Sequence, residues 1–426
     1  MKQVSKLIKN IFKYPILLIF IIICVFMLPP AINLTSIAFR SAIAVALGID
    51  LNEQDLVELS VAINISSASD SLSENSKVLS ATGKTIGDAF TNLNLMFGRS
   101  VKLGQVRFVM IGKKISQQNM GKLLDRLVRT SKIRNTVQLV YCPDKITDMF
   151  NVGTQLKSAT GIKLSEIVCH QQNDSTTSIK SNIDSFYKGY YSPSGISKLN
   201  TISISSDYTQ GISASSDTGN SNGASGEENS GGESAEGGTS GSQDNVSKKF
   251  ISNKGKIAIY KDGVLKSVLN EDLSNGINWL SNDYNPKDLL VEVKGSNTIS
   301  DASVNFDILN KKVNIETFFY KNIPFLATQI ILSLDIDEII SNKEQIKLNY
   351  DIIDDKVKSS IGDTIRRQVS EASKYGKNTN LDLFELNDIF YQRNYNDYKK
   401  YLEEGKTEYS IIEDTQISVD VEVKIV

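Results

Sequence analysis

From Tyr14 to Phe39 the chain carries no charged side chain, and Lys2, Lys6, Lys9 and Lys13 stand before that stretch. A helix crosses the hydrocarbon core of a bilayer with roughly 20 apolar residues. The most apolar part, Ile16 to Leu28, is shorter, and extension to Ile32 supplies the span, with Pro29-Pro30 near its outer boundary. Lysines ahead of a first apolar segment favour a cytoplasmic N-terminus. The expectation is a cytoplasmic stretch over 1–13, a transmembrane anchor over 14–36, and the rest of the chain on the far side of the membrane. A cleaved signal peptide would open in the same way. Ser36 and Ala38 fit a cleavage site's small-residue pattern but lie well past the apolar run, so a retained anchor is expected. Cys24 follows Ile21-Ile22-Ile23, which makes it a poor lipidation site.

A second feature divides the rest of the chain. Gly211 to Asn245 is almost wholly Gly, Ser, Asn, Thr, Ala and acids, with no aromatic residue and no Lys or Arg. Such a stretch cannot bury enough apolar surface to offset its ordering entropy. A disordered Gly/Ser/acidic linker is expected over 206–248, joining loosely coupled domains at 40–205 and 249–426. Net charge is −2 and apolar content 40%, so the exported part is globular and has no basic footprint for nucleic acid.

Periodicity gives an α+β class. Ala42 to Asp50 is continuously apolar, as a strand buried on both faces would be, and Leu56 to Ile65 alternates as a half-buried strand does. Together they suggest a hairpin. Ser66 to Ser76 reads as a loop. Ile86, Ala89, Phe90, Leu93 and Phe97 form one apolar helix face, which Gly98 stops. Strands are expected at Val106–Ile111 and Thr136–Tyr141, and helices at Gln117–Thr130 and Asp144–Phe150. Past the linker, Asp262-Gly263 marks a hairpin turn, and Glu271 to Leu280 a helix with the only tryptophan, Trp279. Strand-like runs come next at Leu289–Val293, Val304–Leu309, Val313–Phe319 and Ile330–Leu334. Val357, Ile361, Ile365 and Val369 mark a helix that Gly376 would cap. Leu383 to Leu402 is helical, and the alternation of Val419 to Ile425 predicts a closing strand. The sheets are expected to be largely antiparallel or mixed.

Chemical motifs are sparse. Gly83-Lys84-Thr85 invites a phosphate-loop reading, but that loop needs a glycine where Val78 stands. A turn that starts a helix is the expectation. Cys169-His170 supplies two ligands where zinc usually takes four. Cys142 and Cys169 could bridge, though unpaired thiols are expected. Asp354-Asp355 precedes a helix, where acids favour the dipole, and Arg126, Arg129, Lys132 and Arg134 read as a solvated face. No catalytic residue, cofactor or metal is assigned, and a binding or assembly module is favoured over an enzyme.

Several segments, in order, resemble the Ger(x)C family, the C subunits of spore nutrient germinant receptors. Ala46-Leu47-Gly48-Ile49-Asp50 resembles the family's opening. Ser80-Ala81-Thr82-Gly83-Lys84-Thr85-Ile86, upstream of Met96-Phe97, is similar to its most recognisable N-terminal motif. Ala258 to Leu265, Gly276-Ile277-Asn278-Trp279-Leu280 and Val419 to Ile425 resemble parts of its C-terminal domain. The resemblance implies a non-enzymatic subunit on the outer face of the spore inner membrane. Its partners would be a large membrane A subunit and a permease-like B subunit, with a small-molecule germinant bound by a partner. It makes Gly48, Asp50, Thr82, Gly83, Lys84, Thr85, Gly276 and Trp279 the candidate interaction residues. Two positions depart from the pattern: Ile32 stands where members carry a lipidated cysteine, and Gly104 where many carry a histidine. The alternative reading is a membrane-tethered solute-binding protein, which would need a deep pocket between its domains.

Overall fold

The computed structural model describes residues 41–64, 76–131, 133–154, 179–205, 250–252, 255–282, 284, 286–294, 302–341 and 355–425. The uncharged stretch with Cys24, the Ser66–Ser76 loop up to residue 75, Lys132, Cys169-His170, the linker and Asp354 lie outside them. No helix among the described residues is long and apolar enough to cross a membrane.

Two sheets organise the molecule. The first has nine strands. Strand β1 (Ser41–Leu51) pairs antiparallel with β2 (Val57–Asn64), as the hairpin pattern predicts. The connection closes on Asn52, whose side-chain oxygen accepts the Gln54 and Leu56 N–H groups at 2.9 and 3.0 Å. A third antiparallel strand, β3 (Ser76–Gly83), extends this edge. It was not expected, because only Ala81 among its apolar side chains is fully buried and its polar residues read as loop. On the other side, β4 (Ser100–Lys102) and β5 (Phe108–Gly112) lie in turn along one edge of β1, both parallel to it. Next come β6 (Gln138–Cys142) and β7 (Ile196–Thr201), also parallel.

Helices cover both faces, which is why β5 and the middle of β1, Ala44 to Ile49, are apolar. Helices α1 (Ile86–Phe97), α2 (Met120–Ser131) and α4 (Ile183–Tyr190) pack on one face, and α3 (Ile146–Thr154) on the other. Helix α1 starts at the Thr85 cap and ends at Gly98, whose φ of 67° is the left-handed conformation a helix stop favours.

A short pair, β8 (Ser203–Ser205) with β9 (Phe250–Ser252), brackets the linker. The hairpin after it, β10 (Ile257–Lys261) and β11 (Val264–Leu269), turns at Asp262 and Gly263 with φ of 52° and 79°. Sequence placed this hairpin in the second region, but β10 pairs antiparallel with β7 and completes the first sheet. The period of two then divides β10 between two cores. Ala258 and Tyr260 face the first core, while Ile257 and Ile259 face the second. The halves share a wall and are not loosely coupled.

The second core lies against a four-stranded sheet, ordered β12 (Asp288–Val293), β13 (Ala302–Tyr320), β14 (Ile323–Ser341) and β15 (Gln416–Ile425). The two runs expected as separate strands at Val304–Leu309 and Val313–Phe319 are one strand. The polar residues Asn310-Lys311-Lys312 stay paired with β14, and a bulge at Leu309 stands just before them. Strand β15 closes the sheet parallel to β14. Helices α5 (Glu271–Asn278) and α6 (Asp355–Thr379) pack inside it. Gly376 does not cap α6; the helix runs on to Thr379, and Asn380 with φ of 53° takes the left-handed position. The helical region after it divides at Asn394 into α7 (Leu386–Arg393) and α8 (Tyr395–Glu403), and α9 (Glu408–Asp414) comes last.

Candidate functional site

The candidate residues read from the sequence are close-packing and capping positions. A Cβ at Gly48 would stand 2.2 Å from the Ile146 Cγ2, so glycine lets α3 lie on β1. Asp50 Oδ1 accepts the N–H groups of Leu51 at 2.8 Å and of Lys114 and Ile115 at 3.1 Å each. It thereby fastens the turn after β5 to the end of β1. A Cβ at Gly83 would stand 2.3 Å from the Ala89 nitrogen. Thr85 Oγ1 accepts the Asp88 N–H at 3.2 Å, and Asp88 Oδ2 accepts the Lys84 N–H at 2.8 Å. This reciprocal cap starts α1. The Lys84 side chain is exposed, and the Thr82 carbonyl accepts the Asn92 amide at 2.8 Å. In the second half, the Trp279 Nε1–H donates to Gln368 Oε1 at 2.8 Å, and the Gln368 amide donates to Asp272 at 3.1 Å. A Cβ at Gly276 would stand 2.2 Å from the Gln368 carbonyl oxygen.

The register Leu51–Val57–Gly83 brings the first six of these residues to one end of the first sheet. Gly276 and Trp279 belong to the other half, so the eight form no single site. Of the other residues weighed from sequence, Arg129 pairs with Asp125 at 2.8 Å on an exposed helix face. Asp355 opens α6. Cys142 is a buried free thiol, and burial pushes it up to about 12. Among the described residues no group of three or more His, Cys, Asp or Glu could hold a metal ion.

Two features were not legible in the sequence. One is an open-sided cleft of about 560 Å³ where the halves meet. Helix α4, the residues just before it and β7 supply Lys180, Asp184, Lys188 and Lys198, and α7 with the turn before it supplies Glu385, Asp388 and Tyr391. Lys198 pairs with Glu385 at 2.7 Å. At its buried end Asp388 accepts the Ser194 hydroxyl, and the Ser194 N–H at 3.3 Å. The Ser194 carbonyl accepts the Lys261 ammonium at 2.5 Å. Ser194 and Asp388, like Lys198 and Glu385, come from segments nearly two hundred residues apart in the chain, and no local pattern announces them.

The other is Lys311, two residues past the β13 bulge. Its ammonium donates to the carbonyls of Asn278, Ser281 and Tyr284 at 3.1, 2.6 and 2.8 Å. It lies 4.8 Å from the Tyr284 ring centre and 5.8 Å from that of Trp279. Burial pushes it down to about 7, and the carbonyls and ring faces replace the water that the charged form has lost. It holds the carbonyl end of α5 to the second sheet.

Residues 40–204 match the family model for the spore germination protein N-terminal domain. Residues 255–426 match the model for the spore germination B3/GerAC-like C-terminal region. The chain belongs to the Ger(x)C family of spore germination proteins. The second match begins two residues before β10, so this Ger(x)C chain puts the first strand of its C-terminal region into the sheet of its N-terminal one. The crystal structure of the GerBC protein is similar at 13% sequence identity, over 89% of this chain and 96% of that one, with a TM-score of 0.47. No curated protein sequence matches the chain.

Proposed function

We propose that this Ger(x)C chain is a non-enzymatic subunit of a spore nutrient germinant receptor. In this reading residues 14–36 anchor it in the spore inner membrane, the N-terminus is cytoplasmic and the two sheets lie on the outer face. It assembles with a large A subunit and a permease-like B subunit, and the germinant is bound by a partner. The observation that carries the reading is the pair of spore germination family models, matched in order across both halves. The packing roles of the candidate residues support it, because a subunit that works by assembly needs a rigid body more than a reactive centre. Deletion of the gene in a spore-forming host without paralogues tests it. Germination with particular nutrients should slow, and normal germination on every nutrient would refute the proposal.

The cleft favours a second reading, a membrane-tethered protein that captures a small solute itself. Its volume is in the range of ligand sites, and its lining mixes lysines, carboxylates and tyrosine. Saturable binding of a nutrient to the purified chain, lost with Lys198→Ala, would support this reading.

A further inference from the structure

The sheet end opposite Asp50 carries side chains that neither core uses. Strand β1 begins at Ser41, and the anchor reading ends at residue 36. An extended connection of that length spans at most about 17 Å. The end of the sheet bearing Ser41 is therefore held close to the membrane boundary. Ser41 pairs with Ser100 of β4, and Ile43 lies opposite Asn64, which lies opposite Ser76 of β3.

Helix α1 ends against the same strands. Asn94 Oδ1 accepts the Val101 N–H at 2.8 Å, tying the last turn of α1 to β4. That turn presents Leu95 and Met96, which are 74% and 76% exposed. Consecutive apolar side chains this open are costly in water, and their grouping marks a surface that meets something apolar. Lys77 on β3, Arg99 just past α1 and Lys102 on β4 are exposed at the same sheet end, and residues 41–45, 62–64, 76–79 and 93–103 include no acid. Open apolar side chains at a sheet end that carries cations and no acid fit the headgroup region of an anionic bilayer.

We propose that this sheet end docks on the lipid surface, with Leu95 and Met96 entering the headgroup layer and Lys77, Arg99 and Lys102 meeting anionic headgroups. The proposal rests on the anchor reading of residues 14–36 and adds an orientation to it: the Asp50 end of the sheet points away from the membrane.

The test uses the full chain in vesicles of phosphatidylcholine and phosphatidylglycerol. The only tryptophan, Trp279, is buried in the second half, so Leu95→Trp adds one reporter at the patch. Its added emission should fall by about half when the lipid is brominated near the headgroup. The emission of the unsubstituted chain should not change, and Glu53→Trp, on the β1–β2 connection, should stay unquenched. Arg99→Glu with Lys102→Glu should reduce the quenching at position 95. Equal quenching at positions 53 and 95, or none at 95 in chains that float with the vesicles, overturns the docking and leaves the anchor standing. Chains that do not float overturn both. Shielding of position 95 that appears only with a co-reconstituted protein partner also overturns lipid docking and assigns the patch to that partner.

Discussion

Gly276→Ala sets two effects of opposite sign against each other. Alanine is favoured over glycine inside a helix by about 1 kcal/mol, so local propensity alone predicts a more stable protein. The new Cβ, however, would stand 2.2 Å from the Gln368 carbonyl oxygen, 2.7 Å from its carbon and 2.9 Å from the Ala372 Cβ. Two of those three atoms are backbone of α6 and cannot rotate aside. Restoring ordinary carbon contact distances requires α5 and α6 to separate by about 1 Å. Overpacking of this kind costs about 1–3 kcal/mol. The separation also stretches the 2.8 Å Trp279–Gln368 hydrogen bond, and leaving such a buried group unpaired costs about 1–3 kcal/mol. After the propensity gain, the net loss is about 1–5 kcal/mol. Urea unfolding followed by the fluorescence of Trp279, which sits on this contact, measures it directly. A lower midpoint and red-shifted native emission are expected. Stability equal to or above that of the unsubstituted chain would show that α5 and α6 yield cheaply, and the close-packing account of Gly276 would be refuted.

Asp388→Ala strips Ser194 of two hydrogen bonds at the junction of the halves. It should cost about 1–3 kcal/mol, with faster amide exchange at Ser194–Ile196 as its local sign. Cys142, held up to about 12 and buried, should resist iodoacetamide at pH 8.5 in the folded chain and react after unfolding, as peptide mapping would show. Lys311 sits at about 7 in the folded chain against about 10.4 for a free lysine. Between those values the unfolded chain binds more protons, so stability should rise with pH from 7 to 10, and Lys311→Met should remove that rise.

What the sequence disclosed was local. The β1–β2 hairpin, the Thr85 start and Gly98 stop of α1, the Asp262-Gly263 turn and the closing strand all depend on residues close together in the chain, and all are found where the pattern put them. What it hid was non-local or polar. Strand β3 buries too little to alternate visibly. Asn310-Lys311-Lys312 looks like a break between two strands because nothing nearby shows that Lys311 turns inward to carbonyls of the α5 end. Gly376 looks like a helix stop, but its small size instead lets the Leu381 carbonyl approach, 2.9 Å from where a Cβ would be. Ile257-Ala258-Ile259-Tyr260 shows no alternation because both of its faces are buried, each in a different core. The compositional break at the linker therefore does not mark where one core ends. The candidate residues were found by family likeness, and their packing roles emerged only with their neighbours in space.

The central claim is that this Ger(x)C chain works by assembly. Crosslinking in spore inner membranes, with mass spectrometry of the purified complex, tests it most directly. The account predicts crosslinks from lysines of this chain to a large membrane subunit and to a permease-like subunit. Recovery of this chain crosslinked only to itself, from spores in which both other subunits are detected, would contradict it.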